Sequence, residues 1–135
     1  MTEFTMTIDG KAAGGDERFG VVNPATGKVF AEAPACDRAG LDAAMTTAAA
    51  AFASWRDDED RRRQALRACA RCIGDHASKL ADTLTREQGK PLNRALEEVS
   101  GAAAWFQYTA ELTIPVEVVQ ETEDARVEVR RRPLG

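Results

Sequence analysis

Thr85-Arg86-Glu87-Gln88-Gly89-Lys90-Pro91-Leu92 is a joint between two helical patterns. Gly89 suits the position just past a helix end, where a left-handed backbone is wanted and a Cβ is costly. Pro91 suits the first turn of the next helix, because its φ is already helical and its missing N–H is not needed there. The stretch therefore predicts a sharp corner, with one helix ending at Gly89 and another starting at Pro91.

Upstream of the corner, Leu66, Cys69, Ala70, Ile73, Ala77, Leu80 and Leu84 keep one helical face for nearly five turns. Gly74-Asp75 predicts a break within it. Asp57-Asp58-Glu59-Asp60 opens this helical run and favours the positive end of its dipole. Arg61-Arg62-Arg63 follows, with Asp58 and Arg62 spaced for an i, i+4 pair. Because acids flank it, the arginine run reads as a solvated helix surface rather than a nucleic-acid patch. An earlier helix starts after the N-cap candidate Asp37. Its face is Leu41, Ala44, Met45, Ala48, Ala51, Phe52 and Trp55, and the two aromatic residues are expected in the core.

Downstream, Leu92, Ala95, Leu96, Val99, Ala103, Phe106 and Ala110 form one face. Gly101, Trp105, Tyr108 and Leu112 form a second. A helix with two apolar faces packs on more than one side, and 135 residues supply few elements to cover both.

The chain ends read as strands. Phe4, Met6 and Ile8 alternate up to the turn signal Asp9-Gly10, and residues 11–18 read as a Gly-rich loop. Phe19 to Val22 is a strand, Asn23-Pro24-Ala25-Thr26-Gly27 a turn, and Val29, Ala31 and Ala33 a return strand. After Pro115 the alternation resumes through Val116, Val118 and Gln120, turns at residues 121–124, and returns through Val127, Val129 and Arg131. Such a hairpin is marginal alone in water, and its edges call for another strand. The ending Arg132-Pro133-Leu134-Gly135, straight after a strand, predicts a cut chain. The expected fold is α+β: about four helical segments with short N-terminal β-hairpins and a C-terminal β-hairpin. Residues 1–36 would hold strands and turns, 37–112 the helices, and 113–135 the hairpin and terminus.

Composition narrows the class. Hydrophobic residues are 44% and charged residues 30%, which suits a globular chain. A net charge of −4 argues against nucleic acid and basic membrane-surface partners. No run approaches the roughly 20 apolar residues of a membrane span, and the N-terminus has no secretory pattern. Three cysteines without a disulfide framework fit a reducing, cytoplasmic compartment.

Candidate chemistry is sparse. There is no GxGxxG or Walker-type loop, and Gly14-Gly15 reads as a plain loop. Cys69-x-x-Cys72 suggests metal or redox chemistry, but zinc takes four ligands and only His76 stands near. Cys69 lies on the apolar face, so a core role is expected. Cys72 and His76 are i, i+4 and would form a thiolate–imidazolium pair only in the sharper reading, which lacks an orienting third group. No catalytic, coenzyme-binding or metal residue is assigned on these grounds.

In order and spacing, the motifs resemble the N-terminal portion of the aldehyde dehydrogenase superfamily. The residues carrying the resemblance are Val22-Asn23-Pro24-Ala25-Thr26-Gly27-Lys28-Val29, Ala50-Ala51-Phe52-Ala53-Ser54-Trp55 and Arg61-Arg62 with Leu66. They continue with Glu87-Gln88-Gly89-Lys90-Pro91-Leu92, Glu97-Glu98-Val99 and Arg131-Arg132-Pro133-Leu134-Gly135. The corner motif is similar to the succinate-semialdehyde and related broad-range branches. The resemblance implies helices that pack around a Rossmann-like NAD or NADP domain absent from this chain. It also implies an oligomerisation hairpin over residues 116–132. The nucleophilic Cys, the Glu base and the Asn oxyanion donor of the family would all lie beyond Gly135. It further implies a monovalent cation near Glu87, with main-chain carbonyls from Val21-Val22, and a helix around Glu98, Gly101, Ala102 and Trp105 that borders a substrate tunnel. The expected function is that of an N-terminal fragment of an NAD(P)-dependent aldehyde dehydrogenase. It would supply packing and oligomerisation surface, with the remainder of such a chain or subunit as partner. The alternative is a stand-alone interaction module pairing through its hairpin edge.

Overall fold

The computed structural model describes residues 4–134, so Gly135, the last residue of the closing motif, lies outside it. Two short hairpins come first. Strands β1 (Met6–Ile8) and β2 (Lys11–Ala13) pair antiparallel, Met6 against Ala13. Asp9 and Gly10 both take positive φ, 54° and 70°. Two left-handed residues make the tight turn whose twist matches a hairpin. That turn sends the chain straight back, so residues 11–13 form a strand and not the start of a loop. Strands β3 (Arg18–Asn23) and β4 (Lys28–Pro34) pair likewise, with a bulge between Val21 and Val22. Their turn is held by Asn23, whose side-chain oxygen accepts from the Ala25 N–H at 2.9 Å, and by Gly27 at φ 67°.

Four helices follow: α1 (Arg38–Trp55), α2 (Glu59–Asp75), α3 (Ala77–Gln88) and α4 (Leu92–Glu111). Asp37 caps α1 through a 2.7 Å bond from the Gly40 N–H. Asp58 caps α2, accepting from the Arg61 N–H at 2.9 Å. The cap uses the carboxylate, so the expected Asp58–Arg62 pair does not form. The i, i+4 pair in this turn is instead Glu59–Arg63, at 2.6 Å. The predicted break at Gly74-Asp75 ends α2, and His76 links it to α3.

The core lies where α2 and α3 pack on α4. Ala81, Ala95 and Val99 are its centre, with Ile73, Ala77 and Leu84 around them. Alanines let the helix backbones approach closely, but a buried methyl stabilises by only about 0.8 kcal/mol. Among the described residues no large side chain is fully covered. Helix α1 is the loosest element. It has no buried residue, Met45 is 63% exposed, and Phe52 and Trp55 are half-buried rather than core. The reason is geometric: α1 has only slender contacts with α2 and β1. A third ribbon, β5 (Glu117–Glu121) with β6 (Arg126–Val129), ends the fold. The three ribbons are separate two-stranded sheets, and no Rossmann-like sheet occurs among the described residues.

Candidate functional site

The corner forms at the expected residues, except that Pro91 stands just ahead of α4, at φ −55° and ψ 137°, and not inside its first turn. Gly89 ends α3 at φ 71°, and its N–H donates to the Thr85 carbonyl at 2.8 Å. The Pro91 carbonyl accepts from the N–H groups of Arg94 and Ala95, at 2.9 and 3.0 Å. A Cβ on Gly89 would stand 3.0 Å from Pro24 Cγ, so the Asn23–Gly27 turn is seated on the corner. The Arg86 guanidinium lies 4.8 Å from the Phe30 ring centre, a second tie to the same hairpin. Lys90 pairs with Glu98 across the start of α4. Two motifs about sixty residues apart in sequence thus form one structural unit.

Glu87 stands exposed on the last turn of α3. No cluster of three or more His, Cys, Asp or Glu suited to a metal occurs among the described residues. Val21 and Val22 lie in β3, where the bulge interrupts the ladder. Gly14 has open space beside it, whereas a Cβ on Gly15 would fall 2.2 Å from the Ala35 carbonyl oxygen. The second glycine therefore has a packing role that its loop-like sequence context does not reveal.

All three cysteines are exposed, so the core role expected of Cys69 is corrected. Helix α2 turns Ala70 and Ile73 toward its neighbours, and one residue's rotation of about 100° carries Cys69 out to solvent. Cys72 Sγ lies 3.9 Å from His76 Nδ1. That nitrogen is also 2.9 Å from the Cys72 carbonyl, which can only accept. Nδ1 is therefore the ring's donor and is not free to take the thiol proton.

The arginine run is likewise more than a solvated surface. Arg62 donates to the carbonyls of Trp55 and Arg56, at 2.6 and 2.7 Å, and so closes the end of α1. Arg63 donates to the carbonyls of Ala110 and Leu112, at 3.1 and 2.7 Å, and closes α4. Helix ends carry carbonyls with no partner in the helix, and guanidinium forks suit them. Arg67 adds a two-pronged pair to Glu111, at 2.8 and 3.0 Å. The Arg67 hydrogen bond holds the Glu111 carboxyl below its ordinary value, against an opposing desolvation. The signal available in the sequence is the absence of basic residues in the last turns of α1 and α4, which leaves those ends to be closed from elsewhere.

What this arrangement offers is surface. Along α4, Trp105 is 68% and Tyr108 58% exposed, their rings edge-on at 5.8 Å. Glu98 and Trp105 lie open, while Gly101 and Ala102 are half-buried. Val116, Val118 and Val119 extend the apolar exposure into the last ribbon. Among the described residues no helix is long and apolar enough to cross a membrane.

Comparison with known proteins accords with this geometry. The profile described as "Aldehyde dehydrogenase family" matches residues 11–135. A probable aldehyde dehydrogenase of a Pseudomonas species is 37% identical over 134 residues, which are 98% of this chain and 27% of the relative. A probable NADP-dependent succinate-semialdehyde dehydrogenase of Sinorhizobium fredii is 38% identical over 127 residues, 91% of this chain and 26% of the relative. Among solved structures, an NADP-dependent enzyme of E. coli superposes with a TM-score of 0.83 at 29% identity, covering 92% of this chain and 27% of that one. The chain thus spans about a quarter of the length of the curated relatives it matches.

Proposed function

Since this chain belongs to the aldehyde dehydrogenase family, we propose that it is the N-terminal packing and assembly part of an enzyme that oxidises an aldehyde to a carboxylic acid with NAD or NADP. The nucleophile, the base and the coenzyme site are then supplied by the remainder of such a protein, and this part works in the cytoplasm. The observation that carries the proposal is the uncovered side of α4, where Trp105 is 68% exposed. Large aromatic surface of this kind marks a place where another element rests. In the family setting Glu87 is the residue to examine for a monovalent cation.

The test is an activity assay in two arms. The chain by itself should form no NADH or NADPH from an aldehyde. Joined to the remaining segments of a family enzyme it should support turnover. Saturable coenzyme reduction by the chain alone would overturn the proposal.

One observation favours a second role, an interaction module acting alone: every residue of β5 is exposed. An open strand can extend a sheet in another molecule. A sharp dimer or defined hetero-complex in size-exclusion chromatography would support that role over the first.

A further inference from the structure

A groove of about 470 Å³ runs between the α1–α2 corner and the segments flanking the last ribbon. Five arginines line it, Arg56, Arg62, Arg130, Arg131 and Arg132, against two acids, Asp57 and Glu59. This is a local cationic excess on a chain whose net charge is −4. The five are not equivalent. Arg62 is committed to two helix-end carbonyls, Arg56 reaches Asp57 at 3.4 Å, and Arg130 reaches Glu128 at 2.6 Å. Arg131 and Arg132 are exposed on the groove wall, and neither makes a hydrogen bond or ion pair among the described residues. Ile114, 61% exposed, and Val116 add apolar surface to a groove that is otherwise mainly polar. The same Arg131–Pro133 segment also lines a second hollow of about 510 Å³, walled by Trp55, Leu66 and Leu112.

Two guanidinium groups beside the open side chains of Ile114 and Val116 set a condition on whatever covers them. An apolar cover alone would strip their water without replacing it, which is strongly unfavourable for a charge. A cover bearing carboxylates satisfies both features at once, because the flat guanidinium fork matches the carboxylate pair of oxygens. We propose that this groove docks an acidic polypeptide segment whose carboxylates engage Arg131 and Arg132 while its apolar side chains lie on Ile114 and Val116. The proposal rests on the packing role above and names the chemistry of the partner surface.

The test is a calorimetric titration of the chain with a synthetic peptide of alternating Glu and Leu. Saturable binding that weakens with added salt is expected. In the Arg131→Gln/Arg132→Gln double variant it should fall about three- to tenfold, as for the loss of two partly exposed ion pairs. Both side chains are exposed, so the variant should keep the wild-type circular dichroism and melting transition. Equal binding by variant and wild type would overturn the proposal. So would tighter binding of inorganic phosphate than of the peptide, which would mark a free-anion site, or tighter binding of a single-stranded RNA. These outcomes leave the coenzyme-reduction assay untouched, so failure here is distinct from failure of the functional proposal.

Discussion

Pro24 and Gly89 are in contact distance only because one of them has no side chain: a Cβ on Gly89 would come within 3.0 Å of Pro24 Cγ. Gly89 also sits at φ 71°, where an L-residue is strained by roughly 1–2 kcal/mol. Gly89→Ala should therefore destabilise the chain by about 1–2 kcal/mol or more, measured by urea unfolding. Pro24→Ala in the same background should recover part of the loss by opening the contact. No loss in Gly89→Ala would mean the corner is not held as described.

Arg63 closes α4 from a distance of nearly fifty residues in sequence, and its side chain is only 21% exposed. Arg63→Met keeps the stem but removes both carbonyl donors. The expected cost is about 1–3 kcal/mol in the same unfolding measurement. Arg63→Lys should recover only part of it, because an ammonium lacks the planar fork.

The Arg67–Glu111 pair gives a pH signature. Its hydrogen bond lowers the Glu111 carboxyl below the ordinary value, and Gln107 donates to the same side chain at 3.1 Å. A carboxyl lowered in the folded state contributes stability above the unfolded value of about 4.3, and that contribution disappears as pH falls through the folded value. The gap in melting temperature between wild type and Glu111→Gln should thus be present at pH 7 and vanish in acid. The pair is solvent-exposed, so salt should also narrow the gap. A gap that widens on acidification would contradict the assigned sign.

Cys36, Cys69 and Cys72 are all exposed. Each should react with a chromogenic thiol reagent in the absence of denaturant, giving three equivalents per chain. Protection of Cys69 would restore its expected core role and require α2 to be rotated from its observed setting.

Local chemistry makes much of this fold legible in the sequence. The cap at Asp37, the Gly89–Pro91 corner and the four helices follow from short-range effects, in which a few adjacent residues decide the backbone, whereas Asp58, spaced to pair with Arg62, caps α2 instead. The family resemblance rests on the same local motifs, and the profile match over residues 11–135 bears it out. What escapes the sequence depends on long-range placement. Whether Cys69 or Ala70 faces the core differs by one residue's rotation. Whether Phe52 is covered depends on a neighbour that periodicity does not supply. The role of Arg63 depends on the distant end of α4 coming to rest beside it, while Arg62 reaches only back across the α1–α2 corner.

Those two arginines are adjacent in sequence, yet one grips the end of α1 and the other the end of α4. The first turn of α2 is therefore a shared clasp. When it frays, both ends lose their latch together, so amide exchange at the tails of α1 and α4 should rise in concert although those tails belong to different helices.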